Sequence, residues 1–296
     1  MDIDALKTFL EVNRTRHFGQ AAQNLYVSQS TVSARIRLLE EQIGLALFTR
    51  QRNNIQLTNA GQKLLRYADN IVTNWSRARQ EIAIEEGHGL PLVVGAASSL
   101  WDSILQEWMQ YMFDSVPELM LHAEVHTADT LLRRTLERSM DLSFVFDRPQ
   151  SAELECVEVA HVPLLMVTSE RDIRLHEAML HNYILVEWGT SFATTHARYF
   201  PDAPPPRMRV MLGRLARDFI LKQGGTAYIT EPMVSRLLEK ELLFLVKDAP
   251  VIDRTVFALY HHNSDKLVTI QHACEYFRAT AKAGPLAMKG VQALGS

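Results

Sequence analysis

The segment 28–44, SQSTVSARIRLLEEQIG, constrains the fold more than any other part of the chain. Its apolar residues recur at intervals of four, three and four, which predicts an amphipathic helix whose buried stripe is Val32, Ile36, Leu39 and Ile43. The other side carries hydroxyls and arginines, and no Asp or Glu occurs anywhere from Val12 to Leu39. The helix must therefore pack one side on a core and present a carboxylate-free surface on the other.

A shorter helical stretch precedes this helix. An earlier helix is interrupted at Gly19, and the next stretch carries Ala21 and Ala22, which are small enough to let another helix cross closely. LYVS supplies the turn, and Ser28 is a good N-cap for the following helix. Helix, four-residue turn and helix is the sequence form of a helix-turn-helix.

The second helix of that motif lies in the major groove of DNA. At about 100° per residue, Ser30, Ala34 and Arg37 point away from the buried stripe. Gln, Ser and Arg hydrogen-bond to base edges, whereas a carboxylate here would repel phosphates. An ordinary solvated face would explain any one residue, but the combination predicts double-stranded DNA as a partner, contacted by Ser28, Gln29, Ser30, Thr31, Ser33, Arg35 and Arg37.

A hairpin and a long helix follow. In LALFTRQRNNIQLT (45–58), RNN is a turn signal between two short strands, so Arg50 and Arg52 lie on a predicted wing that contacts DNA; an ordinary solvated hairpin is the alternative. Residues 58–86 predict a helix of about 43 Å. Its stripe predicts a homodimer, although packing on its own domain would also cover it; the dimerisation residues are Leu64, Ala68, Ile71, Trp75 and Ile82.

Charge separates the two parts of the chain. Residues 1–89 hold eleven Lys and Arg against nine Asp and Glu, whereas the remainder holds 20 against 25. This asymmetry is typical of a small polyanion-binding module attached to a larger body. The two cysteines lack paired spacing, and the sequence starts with acidic residues. It also contains no run of the roughly 18–20 apolar residues that span a bilayer. These features predict a cytoplasmic protein with no membrane, metal or cofactor.

The first ninety residues resemble the N-terminal domain of LysR-type transcriptional regulators, through LKTFLEV, HFGQAAQNLYVSQSTVSARIRLLEEQIGLALFTR and IQLTNAGQKLL. VEWG and ASSLW are similar to one branch of that family. The resemblance implies a winged helix-turn-helix, a dimer-forming linker helix, commonly a tetramer, and RNA polymerase as a further partner. It implies DNA contacts at Gln29, Ser30, Ser33 and Arg50. Many members carry Arg where this chain has Ala34, so that contact shifts to Arg35 or Arg37.

From Leu90 onward, strand-like runs alternate with helical stretches, which predicts an α/β fold. The resemblance implies a type 2 periplasmic-binding-protein-like effector domain of two lobes joined by two crossing strands. The domains expected are a winged helix-turn-helix at 1–57, a linker helix and hinge at 58–89, and an effector-binding domain at 90–296. Its lobe I is 90–161 with 264–296, and its lobe II is 162–263.

Hydroxyl and glycine residues follow several predicted strands. Ligands of such sheets bind where strands end and helices begin. A small effector, suited to be an anion, is therefore expected at Ser98, Ser99, Thr127, Thr168, Thr190 and Gly225. For each Ser or Thr an ordinary helix cap is the competing explanation. Trp188 either lines a pocket or fills a core, no arginine stands out as a carboxylate ligand, and the effector stays unidentified.

Three other functions fit the sequence less well. An enzyme is disfavoured because GxSxG, HExxH and P-loop motifs are absent, and His122 and His126 lack a third metal ligand. A solute-binding protein would leave the first 89 residues as an accessory module. A redox sensor would need Cys156 and Cys274, which are 118 residues apart with no basic neighbours to activate a thiol.

Overall fold

The computed structural model describes residues 2–51, 54–83 and 89–283 of the 296-residue chain. The chain forms two compact units, residues 1–88 and 89–296. Arg52, the predicted end of the long helix at 84–86 and the last residues of the predicted lobe I, 284–296, lie outside the described residues. No helix within the described residues is both long enough and apolar enough to cross a membrane.

The N-terminal unit has the predicted order of three helices, a hairpin and a long helix. These elements are α1 (Ile3–Thr15), α2 (Phe18–Asn24), α3 (Gln29–Ile43), β1 (Phe48–Gln51), β2 (Asn54–Leu57) and α4 (Asn59–Ala83). Ala21 and Ala22 are buried in the core that the first three helices share, as their size predicts. Val32, Ile36 and Leu39 join that core, so the stripe that defines α3 is confirmed at three positions.

The fourth member of the stripe was predicted wrongly. Ile43 is 39% exposed, because α3 ends there and Gly44 closes it in the left-handed conformation with φ 77°. The chain turns away, and Leu47 enters the core instead. The 3.6-residue period is thus correct for the body of the helix and fails at its last residue, where tertiary packing stops.

The C-terminal unit is an α/β domain, which confirms the predicted fold class. Its elements are β3 (Leu90–Ala96), α5 (Ser98–Leu100), a π-helical turn (Trp101–Leu105), α6 (Gln106–Ser115), β4 (Leu119–Val125), α7 (Ala128–Leu136), β5 (Leu142–Val145), β6 (Leu154–Thr168), α8 (Leu175–Leu180), β7 (Tyr183–Val186), α9 (Thr190–Tyr199), β8 (Met208–Val210), α10 (Gly213–Gln223), β9 (Thr226–Thr230), α11 (Glu231–Glu239), β10 (Phe244–Leu245), β11 (Ile252–His261) and α12 (Leu267–Ala283).

One sheet runs through both lobes in the order β4-β3-β5-β11-β6-β9-β7-β8, with β10 also paired to β6. On one side β3 is parallel to β4 and β5, and on the other β7 is parallel to β8 and β9. The central strands β6 and β11 are antiparallel to each other over ten residue pairs. They are the two strands that pass between the lobes, so the lobes share a continuous backbone ladder rather than a flexible linker.

The two central strands are longer than the apolar runs indicated. β6 begins at Leu154 and β11 at Ile252, whereas the apolar runs VPLLMVTS and VFALYH begin at Val162 and Val256. The added part of β6 carries exposed polar residues such as Glu155 and His161. Backbone pairing with β11 holds this part as a strand, a long-range contact that hydrophobicity does not reveal.

Candidate DNA-binding face and effector cleft

The first turn of α3 is held by its own hydroxyls. Ser28 Oγ accepts a hydrogen bond from the Thr31 backbone N–H at 3.1 Å, and it lies 2.7 Å from Ser30 Oγ and 2.8 Å from Thr31 Oγ1. This turn contains no acidic residue. Ser28, Gln29 and Ser30 are exposed, and Thr31 is half-buried. Ser28 therefore acts as the N-cap, which fixes the orientation of the neighbouring exposed side chains.

The outward face of α3 follows the helical-wheel prediction. Ser30, Ala34 and Arg37 are exposed, and Ser33 lies half-buried on the flank. Among the described residues, no carboxylate forms an ion pair with Arg37. Its guanidinium is therefore available to a phosphate or a guanine.

Arg35 takes a different position from Arg37. Its Nη2 lies 3.3 Å from Asp4 Oδ2 and its Nη1 lies 3.4 Å from Thr8 Oγ1, both on α1. Arg35 thus spans the gap between α3 and α1 and is half-buried. Of the two arginines offered as substitutes at Ala34, Arg37 is the one that the fold leaves open.

One of the two acids that follow the carboxylate-free stretch is turned inward. Glu40 Oε1 accepts hydrogen bonds from the backbone N–H groups of Leu47 at 2.8 Å and Phe48 at 3.3 Å. The carboxylate therefore fastens the start of the wing to α3. The negative charge of Glu40 is therefore hydrogen-bonded to backbone N–H groups at the start of the hairpin.

The wing is a two-stranded antiparallel hairpin in which Arg50 lies opposite Ile55 and Gln51 opposite Asn54. The predicted hairpin is therefore present, with the Arg50 backbone near its tip. Thr58 Oγ1 accepts from the Gly61 N–H at 3.0 Å and donates to the Ala46 carbonyl at 2.7 Å. Thr58 thus caps α4 and ties it to the base of the wing.

Two residues that the sequence did not bring forward also shape this face. Tyr26 lies in the turn between α2 and α3 with φ 55° and is 96% exposed. One signal for this exposure is present in the sequence, the place of Tyr26 in the predicted turn LYVS. A Cβ on Gly61 would lie 2.2 Å from the Leu47 carbonyl oxygen, so only glycine lets α4 approach the wing this closely.

The stripe of α4 divides into two parts. Ala68 is fully buried and Leu64 and Ile71 pack on the core of the N-terminal unit, which is the alternative given for this helix. Trp75 is 47% exposed and Ile82 is 81% exposed. Ala68 accordingly has no surface to offer a second chain in this conformation. Of the predicted dimerisation residues, the two most exposed, Trp75 and Ile82, lie in the distal half of the helix.

In the C-terminal unit, four predicted residues lie after the carboxyl ends of parallel strands. Ser98 and Ser99 follow β3, Thr127 follows β4, and Thr190 follows β7. Thr127 and Thr190 are exposed, Ser98 is half-buried and Ser99 is buried. At the starts of α5, α7 and α9, none of these four side chains makes a helix-capping hydrogen bond to the backbone.

Thr168 and Gly225 do not belong with that group. Thr168 ends β6, but β6 is antiparallel to β9, and Thr168 pairs with Thr226 at the edge where β7 and β9 begin. Their carboxyl ends lie at the opposite edge, where Thr230 pairs with Leu164. Thr168 is also fully buried. The expectation failed because it treated every strand as parallel.

The residues that do join the two lobes were missed. Asp147 follows β5, and its carboxylate accepts hydrogen bonds from the backbone N–H groups of Thr190 at 3.0 Å and Ser191 at 3.3 Å. Arg254 Nη2, from β11, donates to the same carboxylate at 3.0 Å. Arg254 is the cleft arginine that the sequence did not reveal, because an isolated Arg in DRTVFALYH shows no sign of being buried.

Trp188 fills the core of lobe II, which was one of its two interpretations. It is almost fully buried, and its indole N–H donates to the Tyr228 carbonyl at 2.9 Å. Burial also lowers the pKa of His196, whose Nε2 lies 2.7 Å from Tyr183 Oη. Trp188, Tyr183 and Tyr228 belong to the hydrophobic core of the domain.

The redox alternative gains no support from the thiols. Burial raises the pKa of the Cys274 thiol to about 11 and raises that of Cys156 as well. Both changes disfavour the reactive thiolate. The described residues contain no group of three His, Cys, Asp or Glu side chains able to hold a metal ion.

The two units define a class of protein, the transcription regulator that joins a winged helix-turn-helix to a two-lobed α/β domain. The family model of the bacterial regulatory helix-turn-helix protein, lysR family, matches residues 3–62. The model of the LysR substrate binding domain matches residues 85–282. The chain therefore belongs to the LysR family of bacterial transcriptional regulators.

Individual relatives agree with this assignment. The HTH-type transcriptional regulator HdfR of Yersinia pestis (strain Pestoides F) is 36% identical over 280 residues, which cover 92% of this chain and 94% of the relative. The HdfR protein of Yersinia pseudotuberculosis serotype O:1b (strain IP 31758) gives the same values. The crystal structure of CbnR, a LysR family transcriptional regulator, has a TM-score of 0.76 at 17% identity and covers 94% of this chain and 99% of its own. At that identity the likeness shows the fold alone.

Proposed function

We propose that this LysR-type regulator reads duplex DNA through the N-terminal half of α3. Gln29 and Ser30 face the bases, Arg37 contacts a base or a phosphate, and Ser28 positions them as the helix cap. The observation that carries the proposal is the exposed surface of residues 29–37 of α3, which holds no acidic residue and on which the described residues leave Arg37 without an ion-pair partner. The contacts of Arg35 with α1 support a positioning role for that residue rather than a base contact.

The wing supplies contacts that do not depend on sequence. The place of Arg50 next to the hairpin tip, opposite Ile55, supports a contact with the DNA backbone. Two side chains fix the base of the wing. Glu40 accepts a hydrogen bond from the Leu47 backbone N–H, and Thr58 donates one to the Ala46 carbonyl. A wing fixed in this way can hold an arginine side chain against a DNA phosphate. A mobile hairpin would first have to be ordered, and the lost conformational entropy would reduce the free energy gained from that contact.

The protein acts as a homodimer in this proposal. Trp75 and Ile82 expose apolar surface on the distal half of α4, and a second copy of that helix would cover both. Two copies of α3 would then read two half-sites, which explains how so small a reader reaches useful specificity.

The two-lobed domain modulates DNA binding through a small ligand at the cleft. Ser98, Ser99, Thr127 and Thr190 follow the carboxyl ends of parallel strands, the position at which open α/β sheets bind ligands. Thr168 and Gly225 are withdrawn from this site, for the topological reason given above.

Genome-wide mapping of bound DNA tests this function directly. The expected result is a small set of sites that share an inverted repeat, and purified protein should shift a duplex carrying it more strongly than a shuffled duplex. Arg50→Ala should weaken binding to both duplexes and flatten the dependence of affinity on salt. Scattered occupancy without a shared sequence would contradict sequence-specific recognition, and unchanged salt dependence would remove Arg50 from the interface.

A further inference from the structure

Lobe II contains a cavity that lies away from the cleft between the lobes. It measures about 650 Å³ and is lined by β7, the edge strand β8, α9 and the loop that joins α9 to β8. This volume is within the range of small-molecule sites. Tyr183, which begins β7, and Phe200, which follows the end of α9, both line it. The cavity is therefore at the opposite end of α9 from Thr190, the residue predicted for the effector cleft.

The strand register places two arginines on one side of this cavity. Leu185 on β7 pairs with Arg209 on β8, and the Arg207 backbone N–H donates to the Tyr183 carbonyl at 2.8 Å. Because alternate side chains of a strand share a face, these four side chains lie on the same face of the sheet. The helix α9 packs on that face through His196, whose Nε2 lies 2.7 Å from Tyr183 Oη. The arginines on the edge strand therefore face the space beside α9.

The charge of these two arginines is not neutralised. Arg207 and Arg209 are exposed, and no carboxylate among the described residues forms an ion pair with either of them. Arg171 in the same lobe differs, since its guanidinium lies 2.6 Å from a Glu241 carboxylate oxygen. Two neighbouring cations repel each other, and an anion bound between them would remove that repulsion. The rim of the cavity is therefore suited to a negatively charged group.

A buried histidine adds a hydrogen-bond donor. His196 is only 9% exposed and lines the cavity. The buried Tyr183 hydroxyl donates to its Nε2, because the hydroxyl hydrogen would otherwise be unsatisfied. Burial lowers the pKa of His196, and a neutral imidazole that accepts at Nε2 carries its proton on Nδ1. This Nδ1 has no hydrogen-bond partner among the described residues, so the ring has an unused N–H.

The remaining lining is apolar and stiff. Leu185, Ala197, Phe200 and Met208 contribute hydrocarbon surface, and three consecutive prolines at 204–206 form one wall. Proline rings fix φ, so little conformational entropy is lost when a ligand enters. A fully polar anion would leave the hydrocarbon surface in water. A ligand with an apolar body and an anionic end would cover that surface and reach the arginines.

We propose that this cavity binds a small amphipathic carboxylate, whose carboxylate group pairs with Arg207 and Arg209 and whose hydrocarbon body lies on Leu185 and Phe200. The His196 ring N–H supplies a further donor. A carboxylate fits because its two oxygens accept charge-assisted hydrogen bonds from guanidinium groups in a planar geometry. This site is additional to the effector cleft, so the inference goes beyond the proposed function and does not depend on it.

Calorimetric titration of the full-length protein with octanoate, acetate and octan-1-ol tests the site. Octanoate should bind about tenfold more tightly than either control, because acetate lacks the hydrocarbon body and octan-1-ol lacks the charge. Equal affinity for octan-1-ol and octanoate would refute recognition by the arginines. Absence of binding at millimolar octanoate would overturn the proposal.

Variants show where octanoate binds. Arg207→Gln combined with Arg209→Gln should weaken octanoate binding by about tenfold, because it removes both guanidinium groups. Ala197→Trp should weaken it to a similar extent, because the indole fills the cavity. Arg198→Gln is the matched control: it removes a charge from α9, but the Arg198 guanidinium lies over the Tyr199 ring and does not line the cavity. Wild-type affinity in both cavity variants would place octanoate elsewhere and overturn the proposal.

The same proteins distinguish a ligand site from a contact between subunits. Light scattering should give the same oligomer mass for the wild type and the cavity variants. A lower mass in the cavity variants, together with no octanoate binding by the wild type, would make this surface a subunit contact and overturn the proposal. Duplex binding should be equal in all of these proteins. Failure of the wild type to bind duplex DNA would refute the proposed function, whereas octanoate binding would still decide the cavity.

Discussion

The two units of the chain differ in whether their important charged side chains are exposed or paired with each other. On α3, Arg37 is exposed, residues 29–39 include no carboxylate, and Glu40 is bonded to backbone. In the C-terminal unit the important charges are paired across long sequence distances, as in Asp147 with Arg254 and Asp141 with Lys266. The first arrangement offers charge to an external polyanion, and the second uses charge to hold a fold and a cleft together.

The largest expected effect concerns the most deeply buried pair. Lys266 Nζ lies 3.1 Å from Asp141 Oδ2, and the same oxygen accepts the Val93 N–H at 2.8 Å. Asp141→Asn should lower the free energy of unfolding of the C-terminal unit by about 3 kcal/mol, because it removes the negative charge that pairs with a buried ammonium. Denaturant unfolding measures this change.

Asp172→Asn is the matched control, since Asp172 pairs with Lys247 at the surface. It should leave stability unchanged within error. Affinity for duplex DNA, corrected for the folded fraction, should stay the same in both variants. A loss of DNA affinity in correctly folded Asp141→Asn protein would break the contrast between the two units.

A second prediction concerns the distal half of α4. Trp75→Glu should weaken the dimer by about 30-fold or more, because it places a charge where an exposed Trp would be buried in the interface. Asn74→Glu adds the same charge one residue away from the stripe and should leave the dimer intact. Light scattering over a dilution series distinguishes the two. A dimer that persists in Trp75→Glu would place dimerisation elsewhere.

A third prediction separates the two arginines of α3. Arg35→Gln removes contacts with Asp4 and Thr8, which should cost the N-terminal unit less than about 1 kcal/mol of stability. Arg37→Gln should leave stability unchanged and reduce affinity for DNA more than Arg35→Gln does. Anisotropy titrations with a labelled duplex measure the affinities. The opposite ranking would make Arg35 the contact residue and α1 its temporary partner.

The smallest expected effect is a dependence of stability on pH. Burial alone would raise the pKa of Glu124, but its hydrogen bond to His126 and the nearby Arg134 guanidinium hold that pKa below its usual value. A lowered carboxyl pKa contributes stability that is present above the ordinary value near 4.5 and is lost as the pH falls through the folded-state value. Thermal unfolding of wild-type protein should therefore show a steeper acid limb than Glu124→Gln. If the Tm of both proteins fell equally with decreasing pH, carboxylates other than Glu124 would be responsible for the loss of stability in acid.

The contrast also explains what could be predicted from the sequence. The face of α3 depends on a period of 3.6 within one helix, so the exposure of Ser30 and Arg37 follows from local spacing. The family resemblance extended this to the whole N-terminal unit and to the two-lobed fold. Ile43 was placed wrongly because the end of a helix is set by what packs against it.

The cleft could not be read in the same way. Asp147, Thr190 and Arg254 lie far apart in the sequence and meet only through the strand order, in which β6 and β11 run antiparallel to the strands beside them. Counting every strand end as equivalent therefore selected Thr168 and Gly225, which lie at the wrong edge. The buried state of Arg254 depends on both lobes and has no local signature in the sequence.

Binding of duplex DNA at low ionic strength by wild-type protein, Arg37→Glu and Arg214→Glu tests the central claim most directly. Arg214 lies exposed on α10 in the C-terminal unit, so it controls for the change in net charge. The wild type and Arg214→Glu should bind alike, and Arg37→Glu should lose affinity by about 30-fold or more. Wild-type protein that ignores duplex DNA, or Arg37→Glu that binds as tightly as the wild type, would contradict the account.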